Sequence, residues 1–340
     1  MVPTNFKTRP HAASSGNGVP GTEDRFDGCV FGHVVGSALG LGCSQMLRKE
    51  VLEAYPEGLR HYKDIHPDAF RGHSPGDCSG ESSMALALAR SLAENSGKLS
   101  EHSASRLFLS WMDSRPGDLS GFTALVLSHP GFIKTPRAAA RRIWETTGKD
   151  LAPNGSLARA CPAALIPDTT PGKTQLLRTA AAASEITHAD PRCLGACAAF
   201  SLMANTLVYE GRPAGEREIV ACAMNFSSKA ADSLIAAKRI HNIDELCLDR
   251  DTDFDGVLKT LCAAFWALYH AKDFIHGLQS VILQGGDSAS NGAVAGALLG
   301  AKFGIRAIPA DLVAGIREKE RLRGISGTLK KIWQPRRKGS

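Results

Sequence analysis

The spacing of apolar residues along this chain is that of α-helices. Apolar side chains recur every three or four positions over long stretches, as from Ser82 to Asn95, and alternating strand patterns are nearly absent. Gly, Pro and Asn separate the helical stretches. The pattern predicts an all-α fold, a compact single domain of many helices. Further helices are predicted at about 99–114, 136–147, 175–186, 191–208, 214–238, 256–270, 272–283 and 289–303.

Two stretches of small residues are predicted to form central helices. The first begins at Asp24 and has a glycine at every fourth position from 28 to 40, which makes a groove that another helix can enter closely. The second runs from Gln284 to Ala301 and, after its Gly-Gly turn, becomes a helix of mainly Ala, Gly and Leu with no bulky surface until Lys302. This pattern predicts a helix that is buried on nearly all sides and whose N-terminus points toward a bound group or another part of the chain.

The start of the second helix offers several oxygen atoms. Gly285 and Gly286 allow a close backbone approach, and Asp287, Ser288 and Ser290 stand beside the free N–H groups of the first turn. Such a turn can hold a cation, an anion or a sugar. Alternatively, Asp287 or Ser288 is only the N-cap of a core helix, and the glycines end the preceding helix.

The chain is predicted to have three parts. Residues 1–22 are rich in Ser, Gly and Pro and are predicted to be a disordered leader, 23–316 form the helical domain, and 317–340 form a basic C-terminal tail. No internal linker or fixed repeat is evident. The leader would also suit the export signal of a bacterial effector delivered into a host cell, as an alternative to a cytoplasmic protein.

Composition narrows the classes of function. The chain has 340 residues, of which 43% are hydrophobic and 6% aromatic, so the core is built largely from Ala and Leu. We find no apolar run of the length a bilayer requires and no secretory signal, which predicts a soluble, cytoplasmic protein. Nine cysteines without CxxC spacing favour reduced core thiols. The net charge of +6 is concentrated in the tail, and a solvated helix end is a better interpretation of it than a nucleic-acid partner.

Four segments, in order, resemble the ADP-ribosylglycohydrolase family of all-α hydrolases that remove ADP-ribose from modified proteins. Their order, spacing and helix context match over nearly the whole globular part. The segments are D-R-F-D-G-C-V-F-G-H-V-V-G-S-A-L-G from Asp24, G-D-C-S-G-E-S-S-M-A-L-A-L-A-R-S-L from Gly76, N-G-S-L-A-R-A-C-P from Asn154 with T-H-A-D-P from Thr187, and the stretch from Gln284 with G-I-R-A-I-P after it.

The resemblance implies two Mg²⁺ ions held by acidic turns at two facing helix starts, and here the chain departs from the family. In the first turn Gly80 replaces one Asp and Glu81 the other; in the second, Ala289 replaces an Asp. Ser37 stands where the first helix of the family has Asp. Of the four usual carboxylates, Glu81 and Asp287 remain. These two can hold at most one ion, so no cofactor or a single Mg²⁺ is expected, and a binuclear magnesium centre is disfavoured.

The resemblance also implies a set of ligand-binding residues. Glu81 and Asp287 are the candidate catalytic pair. Structural alternatives stay open: Ser79 as an N-cap, Glu81 as a first-turn residue favoured by the helix dipole, and Arg159 as an ordinary surface residue. His188 is expected to organise a helix junction, and Asp190 to cap the next helix. The candidate ligand-binding residues are Ser79, Asn154, Gly155, Ser156, Arg159, Gly285, Gly286, Ser288 and Ser290.

Three functions are compatible with these residues. The first is binding of ADP-ribose or an ADP-ribosylated protein partner without the two-magnesium hydrolytic centre, as in a pseudoenzyme. The second is a metal-independent or one-metal enzyme that acts on the glycosidic bond of ADP-ribose or a related nucleotide sugar. The third, a scaffold whose basic tail binds nucleic acid, has only the tail for support.

Overall fold

Helices form almost all of the regular structure. The computed structural model describes residues 19–70, 72–114, 118–250, 253 and 255–333, and within these ranges the only β-pairing is an isolated bridge between Pro153 and Gly256. The all-α prediction is confirmed. The α-helices are α1 Thr22–Gly40, α2 Arg48–Ala54, α3 Gly80–Glu94, α4 Glu101–Asp113, α5 Gly121–Leu127, α6 Pro136–Thr146, α7 Gly155–Ala158, α8 Cys161–Ala164, α9 Thr174–Glu185, α10 Pro191–Glu210, α11 Glu216–Met224, α12 Ser228–Arg239, α13 Val257–His270, α14 Phe274–Ile282, α15 Ser288–Phe303, α16 Ala310–Gly315 and α17 Lys319–Trp333.

Helices α1 and α15 form the centre of the molecule and run antiparallel along their glycine faces. A Cβ atom on Gly32 would overlap the carbonyl oxygen of Gly296, and one on Gly36 would overlap that of Gly292. Gly28 and Gly300 meet in the same way at the far end. The backbones therefore touch directly, which brings the N-terminus of α15 beside the C-terminal turn of α1.

Two hydrophobic cores surround this pair. The larger core joins α1 and α15 to α10, α13 and α14, with α11 and α12 packed outside them. The smaller core lies between α3, α4, α5, α6 and the α8–α9 region, and it contains Phe108 and Phe132. Helix α3 contacts both cores, so its N-terminus lies at the junction between them.

Some predicted boundaries differ from the structure. The helix predicted at 214–238 is two helices, α11 and α12, because the chain turns at Asn225 and the Ser227 hydroxyl caps α12 by accepting the N–H of Ala230. The sequence pattern also missed the short helices α5, α7, α8 and α16, whose few residues carry little periodicity.

The two ends of the chain were predicted to lie outside the helical domain. Most of the predicted leader, residues 1–18, lies outside the described residues, and α1 begins at Thr22. The basic segment after residue 316 continues as α17, which buries Leu322 and Leu329. Lys330 Nζ donates to Asp27 Oδ2 on α1 at 2.7 Å. The prediction for this segment was a solvated helix end; the segment is a helix as far as Trp333, and one of its faces packs on the domain.

Two helices are long and apolar enough to cross a bilayer by length and composition. They are Thr22–Cys43 and Pro191–Glu210, in which 89% and 83% of the most apolar window is buried inside the protein. The prediction that no apolar run reaches this length was wrong, because both helices carry Ala and Gly among their larger apolar residues. In the structure both are central helices of the large core.

Candidate functional site

The first wall of the site is the start of α3, where Ser79 is the N-cap. Its hydroxyl oxygen accepts the backbone N–H of Ser82 at 3.4 Å and the hydroxyl of Ser37, on α1, at 3.1 Å. The N–H of Ser79 donates in turn to Ser37 Oγ at 2.9 Å. Both serines are buried, so these bonds tie the start of α3 to α1. The capping interpretation of Ser79 is the one this geometry shows.

Gly80 has no room for a side chain. Its N–H donates to Asp118 Oδ2 at 2.5 Å. A Cβ atom on Gly80 would lie 2.8 Å from Asp118 Oδ1 and 2.9 Å from Cζ2 of Trp111, closer than real Cβ contacts. His73 Nε2 lies 3.3 Å from Asp118 Oδ2, and the interaction with this carboxylate raises the pKa of His73. A carboxylate from the segment before α5 therefore fills the space beside position 80.

Glu81 lies in the first turn of α3 and is partly exposed. Burial of its carboxyl, followed by the charges of Asp287 and Asp118, raises the pKa of Glu81 to about 8, and Arg159 acts in the opposite direction. These influences place Glu81, Asp118, Asp287 and Arg159 in one electrostatic neighbourhood. A pKa of about 8 favours the protonated form of the Glu81 carboxyl at neutral pH, and a protonated carboxyl is a hydrogen-bond donor.

Asp287 is the N-cap of α15 and forms the facing wall. Its Oδ1 accepts the backbone N–H of Ser290 at 3.3 Å, and its Oδ2 accepts Nδ2 of Asn154 at 2.8 Å. Burial raises the pKa of Asp287, and these hydrogen bonds oppose the rise. Both oxygens are held, so the plane of the carboxylate is fixed toward α7.

Three of the predicted ligand-binding residues at this turn face other parts of the chain. The N–H of Gly286 donates to Met46 O at 2.9 Å, and that of Gly285 to Ile282 O at 3.2 Å. Both glycines have positive φ angles of 63° and 73°, which suit the tight turn that ends α14. Ser288 Oγ donates to Gly40 O at 2.7 Å. These residues shape the turn, and their donors are used inside the fold.

The donor set at the two helix starts does not fit a two-ion magnesium centre. Gly80 and Ala289 have no side-chain oxygen, and the space beside Gly80 is filled. Ser290 Oγ is buried without a hydrogen-bond partner, but a hydroxyl carries no charge to balance a divalent ion. Among the described residues no group of three or more His, Cys, Asp or Glu side chains is arranged to hold a metal ion.

Helix α7 brings a third group of predicted residues to the site. Asn154 is buried, and both hydrogens of its Nδ2 are used, one by Asp287 and one by Thr260 Oγ1 at 3.0 Å. Ser156 Oγ accepts the thiol of Cys197 at 3.6 Å. Gly155 presents its Cα to the imidazole of His188, and a Cβ there would lie 3.2 Å from His188 Nε2.

Arg159 is buried, with 1% of its surface exposed, so the alternative of a surface arginine was wrong. Its guanidinium lies over the ring of Phe108 at 5.3 Å, and Nη2 donates to Thr187 Oγ1. Thr187 Oγ1 lies 2.7 Å from His188 Nδ1. Which of these two atoms donates depends on the imidazole tautomer: when Thr187 donates its hydrogen to Nδ1, the proton of the neutral imidazole is on Nε2. Burial and the charge of Arg159 both lower the pKa of His188 well below its usual value.

Three nitrogen atoms of this cluster are buried without hydrogen-bond partners. They are Nε and Nη1 of Arg159 and Nε2 of His188. Burial also lowers the pKa of Arg159 to about 10, so the guanidinium keeps its charge at neutral pH. A charged donor left unpaired in a protein interior is costly, and such groups normally meet a ligand, an ion or water.

A cavity of about 480 Å³ adjoins the site, which is within the range of small-molecule pockets. It lies between α3, α4, the segment 72–78 and the start of α17, and its wall includes Gly80, Trp111 and Asp118. Glu81 and Asp287 do not line it. Asp118 therefore lies on the wall of the cavity and also acts on the Glu81 carboxyl.

Sequence reasoning missed Asp118, His73, Trp111 and Thr260. Asp118, Trp111 and Thr260 lie outside the recognised segments, and His73 precedes the second of them by three residues; the contacts of all four become visible only when the helices are packed. Two smaller predictions agree with the geometry: Asp190 caps α10 by accepting the N–H of Arg192 at 2.8 Å, and His188 joins the ends of α7 and α9.

A family model for ADP-ribosylglycohydrolase matches residues 19–339. The chain belongs to the ADP-ribosylglycohydrolase family. Among characterised relatives, the ADP-ribosyl-[dinitrogen reductase] glycohydrolase of Rhodospirillum rubrum is 27% identical over 297 residues, which cover 85% of this chain and 89% of that protein. An uncharacterised protein of Archaeoglobus fulgidus is 24% identical, with 90% and 96% covered. A solved structure described as an ADP-ribosylglycohydrolase-related protein complex superposes with a TM-score of 0.68 at 24% identity, over 92% of this chain and 99% of that one.

This member of the ADP-ribosylglycohydrolase family keeps the helical framework and changes the acidic turns. The family model extends over α17, so the match to the family includes the basic C-terminal segment as far as residue 339. The departures at Gly80 and Ala289 lie at the centre of the site, where oxygen ligands for Mg²⁺ are implied by the resemblance.

Proposed function

We propose that this protein binds ADP-ribose, or a protein carrying ADP-ribose, in the space between the starts of α3, α7 and α15, without a two-magnesium hydrolytic centre. The observation that carries the proposal is the two unpaired buried donors of Arg159, Nε and Nη1, together with the unpaired Nε2 of His188 beside Gly155. A pyrophosphate supplies several oxygen acceptors, and a guanidinium can bind two of them at once. The nucleotide diphosphate would satisfy these donors.

Asp287 and Ser290 supply complementary groups for the sugar. The Asp287 carboxylate accepts hydrogen bonds from ribose hydroxyls, and Ser290 Oγ has no partner within the fold. Ordinary binding of a nucleotide sugar needs these hydrogen bonds but no metal ion. Loss of the oxygens at positions 80 and 289 therefore removes ion ligands and leaves the groups that recognise the nucleotide.

Isothermal titration calorimetry with ADP-ribose tests the proposal, in EDTA and in MgCl₂. We expect the dissociation constants in the two buffers to agree within about threefold. Arg159→Lys keeps the charge and most of the volume but loses the planar fork, and we expect it to weaken binding by about tenfold. Circular dichroism of this variant reports whether the fold is intact. No heat of binding at millimolar ADP-ribose in either buffer would end the proposal, and so would binding that requires Mg²⁺.

A second candidate is hydrolysis without a metal ion or with one Mg²⁺. The observation that favours it is the pairing of Glu81, which holds its proton, with the Asp287 carboxylate across the site. Glu81 would protonate the leaving group as the bond to the anomeric carbon breaks, and Asp287 would stabilise the positive charge that develops on the sugar. Water would then bond to the anomeric carbon and release its proton to a carboxylate.

Release of ADP-ribose from ADP-ribosylated arginine, serine or free nucleotide substrates separates the two candidates. If the protein is an enzyme, Asp287→Ala abolishes release and leaves the helical content unchanged. Release that survives both Asp287→Ala and Glu81→Ala contradicts this assignment. Binding without release supports the first candidate.

A further inference from the structure

Asn154, which binds Asp287, is also hydrogen-bonded to a buried hydroxyl on α13. Thr260 lies on α13 with none of its surface exposed. Its Oγ1 accepts one hydrogen of Asn154 Nδ2 at 3.0 Å and donates its own hydrogen to Asn291 Oδ1 at 2.7 Å. The second hydrogen of Asn154 Nδ2 goes to Asp287 Oδ2. We propose that Thr260 is a positioning residue that fixes the Asn154 amide and, through it, the Asp287 carboxylate.

The proposal depends on the fact that the Thr260 hydroxyl has a single hydrogen to donate. Asn291 Oδ1 accepts and cannot donate, so the hydroxyl hydrogen of Thr260 goes to Asn291. Its lone pair then faces Asn154, and only the nitrogen of that amide can donate to it. The amide is therefore held with Nδ2 toward Asp287, and a flip of the Asn154 side chain would place Oδ1 against the carboxylate. The flipped state is excluded by the repulsion of two acceptors.

The backbone on both sides of this network is also fixed. The N–H of Asn154 donates to Asp255 O at 2.8 Å, and the N–H of Val257 donates to Ala152 O at 2.9 Å. These bonds form the isolated bridge between the turn before α7 and the start of α13. Since the Cα positions of Asn154 and Thr260 are held, the hydroxyl decides which face of the amide meets Asp287.

Thr260→Val tests this role, because valine has nearly the same shape and lacks the hydroxyl. In the free protein, the side-chain amide hydrogens of Asn154 are expected to exchange slowly and to give separate NMR signals. We expect these signals to be lost or to exchange rapidly in Thr260→Val and to be kept in Thr260→Ser. Thr206→Val is the matched control, because the buried Thr206 hydroxyl donates only to Leu202 O in its own helix. Unchanged Asn154 signals in Thr260→Val would overturn the proposal.

The consequence for binding rests on the proposed function and is measured separately. We expect Thr260→Val to weaken ADP-ribose binding by about tenfold and Thr260→Ser to restore it to within about threefold. In the background of Asp287→Ala, the same change is expected to cost less than about twofold, because the two residues act as a unit. Equal losses in both backgrounds would contradict a role through Asp287. If the wild-type protein does not bind ADP-ribose, the proposed function fails, while the NMR result still decides the role of Thr260.

Discussion

Two substitutions relative to the family pattern remove side-chain oxygens that could bind Mg²⁺ at the starts of α3 and α15. Ala289 offers a methyl group where the resemblance implies an Asp, and Gly80 offers only a hydrogen. At position 80 the space for a side chain is also occupied, because Asp118 Oδ2 accepts the N–H of Gly80 and the Trp111 ring fills the remaining space. Restoring a carboxylate at position 80 therefore requires Asp118 and Trp111 to move.

Gly80→Asp is expected to destabilise the protein and to fail to restore Mg²⁺ binding. The new Cβ would approach Asp118 Oδ1 and Trp111 within 3 Å, and the new charge would repel those of Asp118 and Asp287. Overpacking of this kind lowers the free energy of unfolding by about 2 kcal/mol. Urea denaturation and Mg²⁺ titration calorimetry measure the two effects.

Gly121→Asp is the matched control for this experiment. Gly121 is also the first residue of its helix, α5, and a Cβ atom there would meet no atom within 4 Å. A carboxylate at the start of a helix is favourable, so we expect a change in unfolding free energy smaller than about 0.5 kcal/mol. A stable Gly80→Asp variant that binds Mg²⁺ would contradict our interpretation of the site.

At the scale of helices, the central pair is the part of the fold that local sequence predicts best. Glycines four residues apart in α1 and the small residues of α15 are enough by themselves to indicate close contact between two helices. The direction in which the side chain of a turn residue points is set by tertiary packing, so the local sequence does not predict it. Asp287 accepts a hydrogen bond from Asn154, but Ser288, one residue later, donates to Gly40. Asp118 was missed because its neighbours at the site are distant in sequence.

Gly296→Ala tests the contact between α1 and α15. The added methyl group would overlap the backbone carbonyl of Gly32, which cannot move without displacing the whole helix. We expect the free energy of unfolding to fall by about 3 kcal/mol, measured by urea denaturation. Gly324→Ala, on the exposed face of α17 where a Cβ meets nothing within 4 Å, is expected to raise stability by up to about 1 kcal/mol. Equal effects of the two variants would show that the helices are not in backbone contact.

At the scale of the whole molecule, buried titratable groups act on stability in opposite directions. Burial raises the pKa of Glu81 to about 8 and lowers that of His33, on α1, to about 4. The folded state therefore holds an extra proton on Glu81 between about pH 4.5 and 8, and this contribution to stability falls as pH rises through that window. His33 acts in the opposite sense. The net pH profile of the wild-type protein mixes these effects, so a single group is best isolated by comparing two proteins.

His33→Leu isolates the contribution of one buried imidazole. His33 is 4% exposed, and its Nε2 has no hydrogen-bond partner in the fold. Because its folded pKa of about 4 lies below the unfolded value of 6.5, the unfolded state binds the proton first as pH falls. The stability that His33 contributes is complete above pH 6.5 and is lost as pH falls toward 4.

Between pH 7 and pH 5 we expect the wild-type protein to lose about 2 kcal/mol relative to His33→Leu, measured by urea denaturation. Between pH 7 and pH 8 the difference should stay constant, which serves as the internal control, since both values lie above the unfolded pKa. A difference equal at pH 5 and pH 7 would mean that the imidazole reaches solvent or a partner, and that the centre of α1 opens more readily than its glycine contacts with α15 allow.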